Sequence, residues 1–147
     1  MIDELERKIV RSMYRNARKS FREIAKDVGS SATAVINAVK KLEAAGGVKG
    51  YVPVVDPGYF GLSLAALISV RISQGKLLET QQHIAEDPRV TAVYDVTGEW
   101  DSFLVGHFSD RQDLSAFIKK LAALPNVDRT VTHLVLNVVK EETRLPV

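Results

Sequence analysis

A set of polar side chains recurs along one side of a helical pattern, and their chemistry suits contact with a nucleic acid. At 100° per residue they fall opposite an apolar stripe, as on an amphipathic helix. Asn pairs bidentately with adenine, Thr reaches a base edge or methyl group, and Lys meets guanine or phosphate. The polar residues are Thr33, Asn37, Lys40 and Lys41, and the apolar ones are Val35, Val39 and Leu42. This pattern favours a DNA-contacting helix over an ordinary solvated surface.

Two residues that flank this helix extend the candidate DNA-binding set. Ser31 can cap the helix N-terminus, and because helix N-termini favour anions it is also expected to contact phosphate. Lys49 follows the helix, where it either touches the DNA backbone or packs the linker. Basic charge is also concentrated in the part of the chain that contains this helix. Residues 1–52 carry eleven Lys and Arg against six Asp and Glu, a balance of +5, whereas residues 53–147 carry nine against twelve, a balance of −3.

A second group of candidate residues lies in a short segment between two apolar runs. Gly98, Glu99, Trp100 and Asp101 follow one another there. Glycine and aspartate are common turn residues, so spacing alone favours an ordinary hairpin turn.

Residue types and composition exclude several classes of protein. His83, His107 and His133 are scattered, with no cysteine or carboxylate at ligand spacing, and no phosphate-cradling Gly-rich loop or Gly-x-Ser-x-Gly motif occurs. We therefore expect no metal, no other cofactor and no enzymatic activity. With 46% hydrophobic residues, no cysteine and no run of ~18 apolar residues, the default expectation is a globular cytoplasmic protein without membrane attachment.

The polar helix is the last of three helices expected in an N-terminal domain, residues 1–50. The second helix begins with a capping box between Ser20 and Glu23, and Gly29 stands where a C-cap glycine should end it. The three predicted helices span Asp3–Asn16, Ser20–Val28 and the residues from Ser31 to Gly46. Two helices joined by a glycine-bearing turn predict a helix-turn-helix, whose second helix lies in the major groove.

A hinge strand or linker, residues 51–61, is expected next, because the β-branched run from Val48 to Val55 is typical of extended backbone. From residue 62 to 147 the pattern changes to β-α-β-β-α-β, which predicts a ferredoxin-like domain with an antiparallel sheet and an α+β fold overall. The predicted strands are Leu64–Ile72, Val90–Val96, Ser102–Phe108 and Thr130–Val139. The predicted helices are Leu77–Glu86 and one from a Ser109–Gln112 capping box to about Leu124.

The predicted sheet carries apolar residues on both faces. Two helices can cover only one of them, so the other must be buried elsewhere. A second copy of the chain is the economical answer, and at least a dimer is expected.

With these elements in place, the chain resembles the leucine-responsive regulatory protein / asparagine regulator (Lrp/AsnC) family of prokaryotic transcription regulators. The resemblance extends in order over nearly the whole chain. It is carried by Asn16-Ala17-Arg18-Lys19-Ser20, Glu23-Ile24-Ala25, Val28-Gly29-Ser30-Ser31, Val39-Lys40-Lys41-Leu42-Glu43, Val48-Lys49-Gly50-Tyr51, Asp56-Pro57, Val96-Thr97-Gly98-Glu99-Trp100-Asp101 and Val127-Asp128-Arg129-Thr130-Val131-Thr132. It implies a regulator of duplex DNA that binds a free amino acid and assembles as a dimer, often further into an octamer.

The resemblance also implies an effector site. In the family, the turn equivalent to Gly98–Asp101 wraps a free amino acid at a dimer–dimer interface, so Gly98, Glu99, Trp100 and Asp101 become effector-binding candidates. Asp101 is the expected ammonium partner, while Trp100 is alternatively an interface anchor. Thr130 and Thr132 resemble the second wall of the pocket. Backbone amides and threonine hydroxyls can donate to the carboxylate of the amino acid.

Two alternatives accompany this interpretation. One is an architectural protein that binds DNA broadly as an octamer without an effector, which the sequence does not separate from the first. The other is a sirohaem decarboxylase-like enzyme, which is disfavoured because its pocket and hinge histidine and arginine are replaced here by Lys49-Gly50-Tyr51 and Glu99-Trp100-Asp101. Ala38 stands where the family usually has arginine, and Ile36 where it has a small polar residue. Sequence recognition is therefore expected to depend on few side chains, with phosphate contacts supplying most of the affinity.

Overall fold

A computed structural model describes residues 2–147, and the chain divides between Val54 and Val55. The first unit comprises the residues up to Val54 together with residues 140–147, and the second comprises residues 55–139. Residues 140–147 group with the first unit because the Leu145 N–H donates to the Tyr14 hydroxyl at 3.3 Å and Arg11 Nε donates to the Val147 carbonyl at 2.6 Å.

Three helices make up most of the first unit, as predicted. They are α1 (Glu4–Arg15), α2 (Phe21–Val28) and α3 (Ala32–Ala44). The predicted capping box is present, since the Glu23 N–H donates to Ser20 Oγ at 3.3 Å and the Ser20 N–H donates to the Glu23 carboxylate at 2.7 Å. Gly29 ends α2 at a φ of 68°, a left-handed conformation that glycine adopts without steric cost. The turn between α2 and α3 is thereby fixed.

Apolar side chains from all three helices close one core. Ile9 and Val35 are fully buried, and Ile24, Val39 and Met13 are nearly so. Val35 and Val39 belong to the apolar stripe that the sequence predicts for the third helix. Burying a side chain of this size contributes about 1.5–3 kcal/mol, so the core holds α3 with its polar side outward.

The predicted hinge strand is not a strand within this chain. Residues 48–56 form neither a helix nor a ladder with any of residues 2–147, and Gly58–Phe60 form a single short 3-10 turn. A strand requires a neighbouring strand to accept and donate its backbone hydrogen bonds. The β-branched composition that predicted the strand carries no information on a partner strand.

The second unit has the predicted β-α-β-β-α-β order. Its elements are β1 (Leu64–Ile72), α4 (Leu77–Ala85), β2 (Val90–Asp95), β3 (Ser102–Phe108), α5 (Arg111–Ala122) and β4 (Val127–Leu134). The sheet is antiparallel with the order β2-β3-β1-β4, which is the ferredoxin-like arrangement. The α+β fold class is confirmed.

Helices α4 and α5 cover one face of this sheet. Ile68, Val70, Leu104 and Phe108 are fully buried there, and the Phe108 ring packs 5.2 Å from that of Phe117 on α5. One polar pair lies in this core: Gln81 Nε2 on α4 donates to Ser102 Oγ on β3 at 2.5 Å. The apolar packing and this hydrogen bond together hold α4 on the sheet.

The opposite face, here called the outer face, carries apolar side chains with no helix over them. Alternation along β1, and the register of β2, β3 and β4 against it, place them there. The set is Leu67, Ala92, Tyr94, Phe103, Val105 and Val131. The predicted second apolar face is present.

Several predicted boundaries in this unit are wrong, including the start of the last strand, which lies at Val127 rather than Thr130. The last strand ends at Leu134 rather than Val139 because its only neighbour, β1, begins at Leu64 and the last ladder partners are Ala66 and Leu134. Helix α5 is capped by Asp110, whose carboxylate accepts from the Gln112 and Asp113 N–H groups at 2.8 and 2.9 Å. The predicted Ser109–Gln112 capping box does not form, because Asp110 supplies an oxygen one residue closer to these donors.

Candidate functional site

The polar side of α3 is exposed. Ser31 caps the helix as predicted, since its Oγ accepts from the Ala34 N–H at 3.1 Å. Thr33, Asn37 and Lys40 are exposed, and within residues 2–147 their side chains form no hydrogen bond or ion pair with the protein. These three residues, here called the α3 polar face, can therefore meet an external partner without breaking a contact.

Lys41, predicted to contact DNA with them, lies in a different environment. Its ammonium group is 2.7 Å from the carboxylate of Glu6 on α1 and 3.9 Å from that of Asp3. Glu6 is only 2% exposed, and Lys41 is the cation that balances it. This hydrogen-bonded pair lowers the pKa of Glu6 and raises that of Lys41. The structure therefore assigns Lys41 a contact between α3 and α1.

A side-chain hydrogen bond joins the segment after α3 to the end of that helix. The Tyr51 hydroxyl donates to the Glu43 carboxylate at 2.9 Å, and burial together with this carboxylate raises the pKa of Tyr51. Lys49, two residues earlier, is exposed and forms no ion pair within the described part of the chain. Lys49 was expected either to touch the DNA backbone or to pack the linker. Its exposed side chain agrees with the first of these interpretations.

Two further basic residues, which the sequence analysis did not single out, are exposed cations like Lys49. Arg22 and Lys26 on α2 are four residues apart, exposed, and in no ion pair among residues 2–147. Lys19, by contrast, pairs with Asp27. The first helix of a helix-turn-helix crosses the DNA backbone, so cations on α2 can neutralise phosphates. The sequence could have identified these two residues, because their i, i+4 spacing places both on the side of α2 opposite the buried Ile24.

The turn between β2 and β3 forms where expected. Gly98 has a φ of 112°, and the Val96 N–H donates to the Asp101 carbonyl at 3.1 Å. Asp101 is also bonded to the end of β1: its N–H donates to the Val70 carbonyl at 3.1 Å, and its carboxylate accepts from the Ile72 N–H at 2.7 Å. One oxygen of the predicted ammonium partner is thus engaged within the fold.

The Trp100 ring, which belongs to this turn, lies beside two arginines of the sheet. Its ring centroid is 5.9 Å from the Arg71 guanidinium carbon and 5.3 Å from that of Arg129. Arg71 also donates to the Glu99 carbonyl. The structure therefore brings Arg71 of β1 and Arg129 of β4 to the turn, although neither was a predicted site residue. A single charged residue within the apolar run of β1 was the signal for Arg71.

Thr130 and Thr132 are not brought together with Trp100. Register places them opposite Val70 and Ile68, whose side chains are buried beneath the helices. Directly opposed residues of an antiparallel pair share a face of the sheet. Both threonines therefore lie on the helix-covered face, whereas Trp100 lies beside arginines of the outer face. Within one chain they do not form a second wall for the turn.

Two further findings concern residues 2–147. No helix among them has the length and apolar character needed to cross a membrane. In the same range, no three histidine, aspartate or glutamate side chains gather where they could hold a metal ion, and His83 instead lies 3.4 Å from its helical neighbour Glu86.

Both units correspond to known protein families. A model of the AsnC-type helix-turn-helix domain matches residues 2–43, and a model of the Lrp/AsnC ligand binding domain matches residues 65–145. An HTH-type transcriptional regulator of Pyrococcus abyssi is 38% identical over 145 residues, which are 99% of each chain. Another from Methanocaldococcus jannaschii is 32% identical over 148 residues, which cover all of both chains.

Solved structures agree over the same length. A crystal structure described as a transcriptional regulator/L-Met complex from Neisseria meningitidis has a TM-score of 0.91 and 28% identity, covering 99% of this chain and 97% of that one. AsnC of E. coli has a TM-score of 0.90 and 25% identity, with 98% of each chain covered. Because the two family models match in the order of the two units and the relatives align from end to end, this chain belongs to the Lrp/AsnC family of transcriptional regulators.

Proposed function

We propose that this protein is an amino-acid-responsive regulator that places α3 in the major groove of duplex DNA. The observation that carries the proposal is the α3 polar face, where Thr33, Asn37 and Lys40 are exposed and have no partner in the described chain. An amide there can pair bidentately with adenine, and an ammonium can meet guanine or phosphate. No catalytic step is part of the proposal.

Phosphate contacts complete this proposed interface. Ser31 is at the N-terminus of α3, where free N–H groups favour an anion. Lys49, Arg22 and Lys26 are exposed cations of the same unit. Contacts of this kind set the register and orientation of the protein on the duplex, while Asn37 and Thr33 carry the base preference.

Electrophoretic shift assays with the promoter region of the protein's own gene, against random duplex competitor, test this DNA contact. Asn37→Ala should relax the preference for the specific site, because a lost bidentate contact costs about 1–3 kcal/mol of discrimination. Gln112→Ala is the matched control, since Gln112 is an exposed amide on α5 of the other unit. Unchanged discrimination in Asn37→Ala would show that α3 is not the base-contacting helix.

The proposed effector site is the Gly98–Asp101 turn. The support is the family membership, together with the Neisseria meningitidis relative that was crystallised with L-Met. One Asp101 oxygen accepts from the Ile72 N–H, and the other accepts nothing within the described chain, so it is free to accept from an ammonium group. Glu99 adds a second carboxylate, and this residue is exposed.

Calorimetry across the twenty amino acids tests this site. Asp101→Asn is the informative variant, because the amide oxygen can still accept from the Ile72 N–H while the negative charge is removed. At least one amino acid should bind the parent chain, and Asp101→Asn should weaken that binding about tenfold, as for a lost charged hydrogen bond. If none of the twenty binds, the protein is better described as an architectural DNA-binding protein without an effector.

Assembly is the proposed connection between the two sites. A second copy would cover the apolar outer face, and the resemblance implies dimers that associate further, up to an octamer. An effector that binds between dimers shifts this equilibrium and hence DNA occupancy. The shift cannot exceed its differential affinity for the two assemblies.

A further inference from the structure

Two arginines face each other across the outer face without a counter-ion. Arg71 of β1 and Arg129 of β4 are directly opposed ladder partners, and both are exposed. Like charges directly opposite on a sheet are destabilising. The arrangement is therefore not explained by the stability of the fold.

Two carboxylates close to the arginines in the sequence each accept a hydrogen bond from another group. Asp101 accepts from the Ile72 N–H and Asp128 accepts from the Ser73 hydroxyl. Within residues 2–147 no carboxylate oxygen lies within 4.0 Å of Arg71 or Arg129. Arg89 in the same unit shows the contrast, since it contacts the carboxylates of both Asp87 and Asp113.

The two guanidinium groups are nevertheless held in place. Both lie within 6 Å of the Trp100 centroid, a distance at which a cation is attracted to an indole ring. Arg71 is further fixed by its hydrogen bond to the Glu99 carbonyl. The site therefore presents two oriented cations beside a half-buried aromatic ring, all on one face of the sheet.

We infer that Arg71 and Arg129 bind a carboxylate, and that this carboxylate is the α-carboxylate of the effector. Guanidinium is planar and donates two parallel hydrogen bonds to a carboxylate, and a bound anion removes the repulsion between the pair. The inference rests on the proposed amino-acid response and refines it. The arginines take the carboxylate end, Glu99 and Asp101 take the ammonium end, and Trp100 packs against the ligand.

Trp100 is the only tryptophan of the chain, so tryptophan fluorescence of the full-length protein reports on this site alone. The probes are the amino acids, the amide of each amino acid that binds, glutarate as a carboxylate without an ammonium group, and inorganic phosphate. The variants are Arg71→Gln, Arg129→Gln and the double variant. Arg111→Gln on α5 is the control, because Arg111 is exposed and lies away from Trp100 in the sequence and on another element.

An amino acid should change the emission of the parent saturably and its amide should not. Each single glutamine variant should weaken binding about tenfold or more, and Arg111→Gln should bind like the parent. Unliganded Arg71→Gln should unfold close to the temperature of the parent, because the repulsion that it removes offsets the lost hydrogen bond to the Glu99 carbonyl and the lost contact with Trp100. A clear loss of thermal stability would instead indicate a structural role and overturn the inference.

The remaining outcomes separate this inference from the proposed function. If an amino acid and its amide bind equally, or if the double variant binds like the parent, the arginine assignment is wrong while the amino-acid response stands. If glutarate saturates with the same arginine dependence and no amino acid does, the carboxylate site stands and the amino-acid proposal fails. Saturation by phosphate alone, or by no probe, overturns the carboxylate assignment.

Discussion

Neighbouring residues of the same type have different roles in this chain because their surroundings differ. Lys40 and Lys41 are consecutive on α3 and both exposed, yet Lys40 has no acidic partner among residues 2–147 and Lys41 pairs with the buried carboxylate of Glu6. Helical periodicity predicted the direction of each side chain but not the acid that α1 places beside one of them. Substitution of Lys40 is therefore expected to affect DNA affinity, and substitution of Lys41 is expected to affect stability.

Lys40→Ala should weaken DNA binding at all sequences without changing stability. Each phosphate contact that is lost releases one counterion fewer, so the slope of log K against log salt should fall by about 0.9. Fluorescence anisotropy with duplex DNA at several salt concentrations measures this slope, and an unchanged slope would remove Lys40 from the interface.

Lys41→Ala should lower the thermal unfolding midpoint instead, because Glu6 remains buried without its cation. The fold lowers the pKa of Glu6, so the pair stabilises the protein above pH 4.5 and loses its effect as pH falls through the lowered pKa. The difference in unfolding midpoint between parent and variant should therefore become smaller at acidic pH. Adding Glu6→Gln should restore part of the midpoint at neutral pH, and no recovery would contradict this role.

At the scale of elements, the sequence predicted the features of a helix or strand that depend on the residue pattern within that segment. Strands β1 and β3 have the predicted ends, because a mainly apolar run bounded by turn residues defines both ends of each strand. The end of β4, the face of Thr130 and the absence of a ladder in the hinge depend on which strand lies alongside. Arg129 likewise became a site residue only through its position opposite Arg71. Partner strands and register are long-range properties that one segment does not contain.

Strand β3 depends on a glycine for its core packing. A Cβ on Gly106 would lie 2.8 Å from the Phe108 ring, which also packs against Phe117. Gly106→Ala should therefore destabilise the protein by about 1–3 kcal/mol, as other overpacked cores are. Denaturant titration measures the loss. Gly50→Ala is the control because its Cβ would meet nothing within 4 Å, and equal stability of the two variants would contradict the packing argument.

The loop between α4 and β2 is joined to α5 by an ion-pair network. Arg89 contacts Asp113 at 2.6 Å and Asp87 at 2.7 Å, and its hydrogen bond lowers the pKa of Asp87 to about 2. Because this folded pKa is depressed, the stabilisation is present above pH 3.8 and is lost as pH falls toward 2.

Asp87→Asn should therefore cost stability at neutral pH, on the order of 1–2 kcal/mol, and progressively less between about pH 4 and pH 2. Thermal unfolding followed over this pH range gives the difference between parent and variant. Asp95→Asn is the matched control, because Asp95 is exposed at the end of β2 and forms no ion pair within the described chain. A constant difference across the range would contradict the linkage.

At the scale of the whole molecule, the outer face sets the expected assembly. Leu67 at its centre is 43% exposed, and aromatic and aliphatic neighbours surround it on three strands. Contiguous apolar surface of this kind is typical of a protein–protein interface. Two copies are also what a regulator needs in order to contact half-sites about 34 Å apart.

Leu67→Glu should shift the full-length protein toward monomer, because the substitution places a charge in the proposed interface. Sedimentation velocity at micromolar concentration measures the distribution of species. Leu78→Glu is the control: Leu78 is 67% exposed, but it lies on α4, away from the outer face. A dimer that tolerates Leu67→Glu as well as Leu78→Glu would place the interface elsewhere.

The buried hydrogen bond between Gln81 and Ser102 couples the position of α4 to that of the turn before β3. Ser102 directly follows Asp101, the last residue of the turn, and α4 cannot slide along the sheet without leaving the Gln81 amide unpaired inside the core. A displacement of the turn that keeps this hydrogen bond must therefore move α4 as well. Ala85, the last residue of α4 and four residues beyond Gln81, would then shift with what binds beside Trp100.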